Sequence, residues 1–271
     1  MEEISLSIEL KNIINDITEV AEYLWERGWA ERNAGNISID ITELGVPGTD
    51  NFKQFPKRDM KISQPELAGH CFLVTTAGSH FRDLSRQPKK GLLIISITDE
   101  LDGYHLLWGG ADAKSKPTSE LISHLRIHGF LHRSTFSQRA ILHTHASHLI
   151  ALMHIAQYCN EEELNHLLWA MHPELKLVLP NGVGFTCYCR PGSEELADAT
   201  IDSLKHHRIT LWEKHGCIAI GNDVFEAFDL IDTVNKSAEI FFICRSAGYE
   251  PHGLTNEQLA QLVKRPSIKG R

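Results

Sequence analysis

Short apolar runs alternate with amphipathic stretches along the chain, and this restricts its fold more than any other feature. Residues 37–41, 72–76, 91–98, 104–108, 209–212 and 217–220 have strand length and strand composition. Around them, apolar residues recur at helical intervals. Leu10, Ile13, Ile14, Ile17, Val20, Ala21, Leu24 and Trp25 predict a helix ending near Gly28, where glycine accepts a left-handed cap. Ile4, Leu6 and Ile8 alternate instead, so the start of that helix stays open. Further helices are expected over 117–131, 146–158, 194–206 and 223–247. Strands and helices in one continuous pattern imply an α/β fold in which helices cover a sheet.

At 271 residues the chain has room for one large domain or two small ones. A formal charge of -8 argues against a nucleic-acid partner. It does not exclude an anionic ligand, because phosphate is held by local donors. No signal peptide is visible at the acidic N-terminus, and no apolar run reaches the roughly 20 residues of a membrane span. The six cysteines lack metal-site spacing and read as reduced packing residues of a cytoplasmic protein. Residues 50–65 read as a surface loop and the basic tail, 264–271, as frayed.

Chemistry enters at the ends of the apolar runs. Ile141 and Leu142 lead into His143-Thr-His145, and period-two geometry turns both imidazoles to one side. His215 follows the run 209–212. Three neutral imidazoles that leave a coordination position open fit a catalytic zinc site, although imidazole accepts other divalent transition metals. The remaining histidines considered, His148, His154, His166, His172, His206 and His207, read as surface or supporting groups. Two glycine turns, Asn33-Ala-Gly-Asn36 and Ala77-Gly-Ser-His80, expose backbone amides able to hold an anion; turn chemistry alone accounts for them equally well. Glu120 lies in the turn Pro117-Thr-Ser-Glu120 at a helix start. By position it is a dipole-stabilising acid, with Thr118 or Ser119 as the cap.

Taken in order, the two glycine turns, Pro117-Thr-Ser-Glu120, His143-Thr-His145, His215-Gly216 and the segment 232–239 resemble the class II aldolase/adducin family over nearly the whole chain. The resemblance implies one domain, residues 1–271, with three α/β/α layers around a central, largely antiparallel mixed sheet. It implies a homotetramer with sites near subunit interfaces. One Zn2+ per subunit would be held by His143, His145 and His215, and the substrate would be a small sugar phosphate. Asn33, Gly35, Asn36, Gly78 and Ser119 take the substrate-binding positions, and Glu120 becomes the acid/base. Ala77 stands where close relatives carry serine, so either Thr76 or Ser79 supplies the hydroxyl or backbone amides alone suffice. The segment 169–174 points to the rhamnulose-phosphate branch, where a glutamate matching Glu174, expected here on a loop, serves the aldehyde half of the reaction. The chemistry implied is retro-aldol cleavage without a Schiff-base lysine. Fuculose-phosphate cleavage, pentose-phosphate 4-epimerisation and a non-catalytic adducin-like module are the alternatives.

Overall fold

The computed structural model describes residues 4–46, 54–112 and 114–263. The helices are α1 (Ile8–Glu26), α2 (Phe81–Leu84), α3 (Pro88–Gly91), α4 (Leu121–Arg133), α5 (Ser147–Leu152), α6 (Glu161–Met171), α7 (Pro173–Val178), α8 (Glu194–Leu204), α9 (Val224–Ser246) and α10 (Asn256–Val263). The strands are β1 (Asn36–Asp40), β2 (Lys57–Asp59), β3 (Cys71–Thr75), β4 (Leu92–Ile97), β5 (Gly103–Gly109), β6 (Ala140–Thr144), β7 (Gly184–Thr186), β8 (Ile209–Trp212) and β9 (Gly216–Gly221).

All nine strands join one sheet in the order β2-β5-β4-β3-β1-β6-β9-β8-β7. Among the described residues the β7–β8 pair is parallel and the other strand pairs are antiparallel. Period two then divides each strand between two cores. Ile37, Ile39, Leu73, Leu92, Ile94 and Leu142 pack on the side of α1, α5, α6 and α9. Phe72, Val74, Leu93 and Ile95 face the start of α4, while Ile141, Ile218 and Ile220 face its end and α8. This is the expected three-layer α/β/α arrangement.

The structure resolves the start of α1. Ser7 Oγ accepts the Leu10 amide at 3.2 Å, so the helix begins at Ile8 although the preceding apolar residues alternate. Gly28, at φ 71°, closes it as expected: the Gly28 amide donates to the Trp25 carbonyl at 2.9 Å. Three other expectations change. The stretch read as a surface loop, 50–65, carries the edge strand β2, which pairs with β5 through the backbone and is tied at its start by Lys57 Nζ donating to Asp102. The helix expected over 146–158 stops after Leu152, and a 3-10 turn follows at Ala156–Tyr158. The Cys159 thiol donates to the Met153 carbonyl at 3.3 Å across that bend, and Tyr158 packs on Phe241 of α9. Glu174 lies in α7, which Pro173 opens, and not in a loop. The tail 264–271 falls outside the described residues. All six cysteines are free.

Candidate metal centre and active site

The antiparallel register brings the candidate residues to one end of the sheet. Asn36, which opens β1, sits opposite His143 near the end of β6. Thr144 in turn faces Cys217 of β9, and Trp212 closes β8 opposite Gly216. His143, His145 and His215 therefore converge. Their ring centroids stand 4.9–5.3 Å apart, and one nitrogen from each lies within 4.8 Å of the others.

Local backbone conformation makes this approach possible. A Cβ on Gly216 would fall 2.5 Å from the Thr144 carbonyl oxygen, so glycine alone lets the His215 turn close against β6. Lys214, at φ 58°, holds a left-handed conformation that costs a non-glycine residue energy and aims His215 inward. The carbonyl of Trp29 accepts both the His145 amide, at 3.0 Å, and the Thr144 hydroxyl, at 2.7 Å. That pair of bonds ties the chain leaving α1 to the end of β6.

The imidazoles are oriented as metal ligands usually are, by bonds on their outer nitrogens. His143 donates from Nδ1 to the Cys217 carbonyl at 2.9 Å, which leaves Nε2 with its lone pair. His145 donates from Nδ1 to the Glu31 carboxylate at 2.7 Å. The Nδ1 of His215 is buried without a partner. Burial, then the neighbouring His145 and His215, hold His143 well below its ordinary pKa. Burial also lowers His215, against the pull of Glu120. Three imidazoles converging on one point, one with an orphaned nitrogen, are a donor set that fits a divalent transition ion. Trp212 walls the cluster, 4.5 Å from His143 and stacked at 5.1 Å on His215.

Glu120 stands beside these imidazoles. Its Oε2 lies 4.0 Å from His143 Nε2, and the residue is only 9% exposed. The expectation that Thr118 or Ser119 caps α4 is not met. Glu120 itself holds the N-cap position and makes no side-chain cap bond, so its carboxylate is turned away from the helix end. Asn36 Nδ2 donates to Glu120 Oε2 at 3.1 Å. Because the carboxylate can only accept there, the other end of the amide, Oδ1, faces His124 Nε2–H. Tautomer logic continues along the chain: Ser38 Oγ donates to His124 Nδ1 at 2.6 Å and accepts from His128 Nε2 at 2.8 Å. Burial lowers His124 to about 3 and His128 to about 4, so both are neutral at neutral pH. A buried relay thus runs from His128 to the carboxylate.

Sequence analysis did not single out Ser38, His124 or His128. The signal was present: Glu120, His124, His128 and His132 recur every four residues, one helix face, and Asn36, Ser38 and Asp40 occupy one strand face.

The glycine turns flank the same end of the sheet. Gly35 has φ 82°, and a Cβ there would press on Phe81 and on the His143 carbonyl. Asn33 is exposed; Asn36 is buried with its amide committed to His124 and Glu120. The turn at Gly78, φ 76°, is zipped to the turn before α4: Ala77 N–H donates to Lys116 O and Thr118 N–H to Thr75 O, each at 2.8 Å. Gly78 and Ser119 are both exposed beside that zipper. Of the hydroxyls expected to replace the serine missing at Ala77, Thr76 donates to the Lys90 carbonyl at 3.2 Å, whereas Ser79 is half-buried in the turn. Glu174 is exposed on α7, which packs mainly on α6, α9 and α10, and it joins none of the bonds around the histidines.

Comparison with known proteins follows this geometry. Residues 15–242 match the family model described as the class II aldolase and adducin N-terminal domain. The chain belongs to the class II aldolase/adducin family. It is 38% identical over 250 residues to a rhamnulose-1-phosphate aldolase of Bacteroides thetaiotaomicron, covering 92% of each chain. It is 36% identical over 245 residues to one of Pectobacterium atrosepticum, covering 89% of each. A sugar-phosphate aldolase from Thermotoga maritima superposes with a TM-score of 0.75 at 30% identity, covering 90% of this chain and all of that one. An L-fuculose 1-phosphate aldolase shares the fold, with a TM-score of 0.61 at 18% identity. The family is metal-dependent, and the three-histidine cluster falls within the matched region.

Proposed function

We propose that the chain is a metal-dependent aldolase that reversibly cleaves L-rhamnulose 1-phosphate to dihydroxyacetone phosphate and L-lactaldehyde. The observation that carries this is the Glu120 carboxylate, held by Asn36 at the edge of three converging imidazoles. The extensive similarity to rhamnulose-1-phosphate aldolases supplies the substrate. His143, His145 and His215 would hold the ion, zinc in this reading. When bound, it supplies Lewis acidity toward the oxygens of the ketose. Glu120 moves a proton at the reacting carbon or its hydroxyl. The half-buried turn at Gly35 and the exposed turn at Gly78, with Asn33, Ser79 and Ser119, bind and orient the phosphate end. Asn36 keeps a second amide hydrogen for the substrate while its first holds Glu120. Glu174 serves the aldehyde fragment.

A cytoplasmic homotetramer belongs to the same reading. No helix among the described residues is long and apolar enough to cross a membrane.

Separate incubation with rhamnulose, fuculose and ribulose phosphates, measuring triose phosphate release, tests the assignment. Release from rhamnulose phosphate, abolished by prolonged chelation and restored by zinc or cobalt, is expected. Greater turnover of fuculose phosphate, interconversion of pentose phosphates, or full activity in verified metal-free protein would each overturn it.

A further inference from the structure

The far end of β1 carries a second group of metal-ligating side chains. Asp40 closes the strand four residues after Asn36, about 13 Å along it. Its Oδ1 is occupied by Thr42, whose N–H and hydroxyl donate at 2.9 and 2.5 Å. Oδ2 is left to face two imidazoles from two further elements. His132 Nε2, on the last turn of α4, lies 2.6 Å away, and His70 Nδ1, just before β3, lies 3.2 Å away. The two rings meet edge to face with centroids 4.4 Å apart. One donor atom from each residue falls within 4.8 Å of the others, the same condition that the catalytic histidines meet.

Two observations separate this trio from an ordinary ion pair. It lines a cavity of about 430 Å³, which leaves room for further ligands on the open side. Gln138 lines the same cavity, and its amide oxygen is buried with no hydrogen-bond partner. An uncompensated buried carbonyl oxygen costs free energy that an ion, or a water on it, would offset. Nitrogen and oxygen ligands about 2.0–2.2 Å from one ion stand roughly 3.0–3.5 Å apart. The His70 contact already has that spacing. Only His132 has to swing outward, and it sits on an exposed helix end. Thr42 supplies the outer bonds that fix the carboxylate, as supporting groups do at protein metal sites.

We propose that Asp40, His70 and His132 form a second site for a divalent transition ion, with water and the Gln138 amide oxygen completing the coordination. Two imidazoles and one carboxylate suit zinc, cobalt, nickel or ferrous iron and disfavour magnesium or calcium. The ion pins the last turn of α4 to the end of β1 and to the segment entering β3. It shares no ligand with the three-histidine cluster.

The test counts metal in the full-length protein. Chelator-stripped protein is titrated with zinc in the presence of an indicator dye that removes weakly held ions. Wild type is expected to take up two equivalents per subunit. H70A/H132A takes up one and keeps its aldol activity within about twofold, because only the supporting site is lost. H143A/H215A also takes up one equivalent, loses activity, and binds none when combined with H70A/H132A. In H143A/H215A itself, cobalt should give a d–d spectrum that disappears when His132→Gln is added, and zinc should raise Tm. If H70A/H132A does not fold, His132→Gln alone, at an exposed position, must lower the stoichiometry. One equivalent in wild type, or a second equivalent that survives H70A/H132A, would overturn the proposal and leave the trio as a hydrogen-bonded cluster.

Discussion

Glu120 owes its position to Asn36 as much as to the helix it begins. A carboxylate at a helix N-cap ordinarily bonds the first free amides, and here it bonds the Asn36 amide instead. On the proposed chemistry, Glu120→Ala lowers kcat for cleavage by ~10²–10⁴ with bound metal unchanged. Asn36→Ala removes both the donor to Glu120 and the acceptor of His124 Nε2–H. Stability should fall by about 1–3 kcal/mol for the buried group left unpaired. Catalysis should fall as well, with kcat affected more than KM. Metal content, denaturant midpoints and steady-state kinetics on the two variants separate these effects. An Asn36→Ala enzyme that lost stability but kept its kcat would show that Asn36 packs the site without positioning the acid.

At the scale of elements, β1 and α4 are coupled by polar groups rather than by an apolar seam. His124 and His128 are fully buried and neutral, held near 3 and 4 by burial. An unfolded chain binds protons at these positions below about pH 6.5, whereas the folded chain does not until about pH 4 and below. Their neutral burial therefore weakens folding progressively as pH falls from about 6.5 toward 4, by up to ~1.4 kcal/mol per pH unit for each histidine. Above that window they add no pH dependence. Urea unfolding of metal-stripped protein should show this slope, and His128→Gln should remove about one proton from it. Identical slopes in both proteins would mean that His128 is already charged in the folded state. Sequence patterning carried this seam as the four-residue recurrence of Glu120, His124 and His128, but periodicity sorts histidine with the outward polar residues, so it passed unread. It did single out His143, His145 and His215, because they end or follow apolar runs whose strand character is plain. The break after Leu152 was hidden for another reason: residues 146–158 all tolerate helix, and packing against α9 decides where the chain turns. β2 was equally silent, because Lys57-Arg58-Asp59 has no apolar face and its strand character comes from pairing with β5.

For the molecule as a whole, Glu174 poses the sharpest question. It is exposed on α7, on a helix that rests on α6, α9 and α10 rather than on the strands that carry the histidines. In the proposed homotetramer, a second subunit brings it to the site. The surface around it suits that purpose. Leu177 and Val178 of α7 are 52% and 46% exposed, and Ile243 on α9 is 60% exposed. Apolar side chains this open are natural material for an interface between copies of the chain. The prediction concerns mixed oligomers. Glu120→Ala and Glu174→Ala subunits should each assemble into inactive tetramers. Co-expressed in equal amounts, they form sites that combine an intact Glu120 from one chain with an intact Glu174 from its neighbour. Random assembly should place both glutamates at about a quarter of the sites, so activity should return to about a quarter of the parent value. Tritium exchange at dihydroxyacetone phosphate adds a second reading, since it needs only the metal half of the site. Glu174→Ala should retain that exchange, and Glu120→Ala should lose it. If the mixed oligomer shows no more cleavage than the average of its two parents, Glu174 does not act across the interface, and the aldehyde fragment must be met by another residue of the same chain.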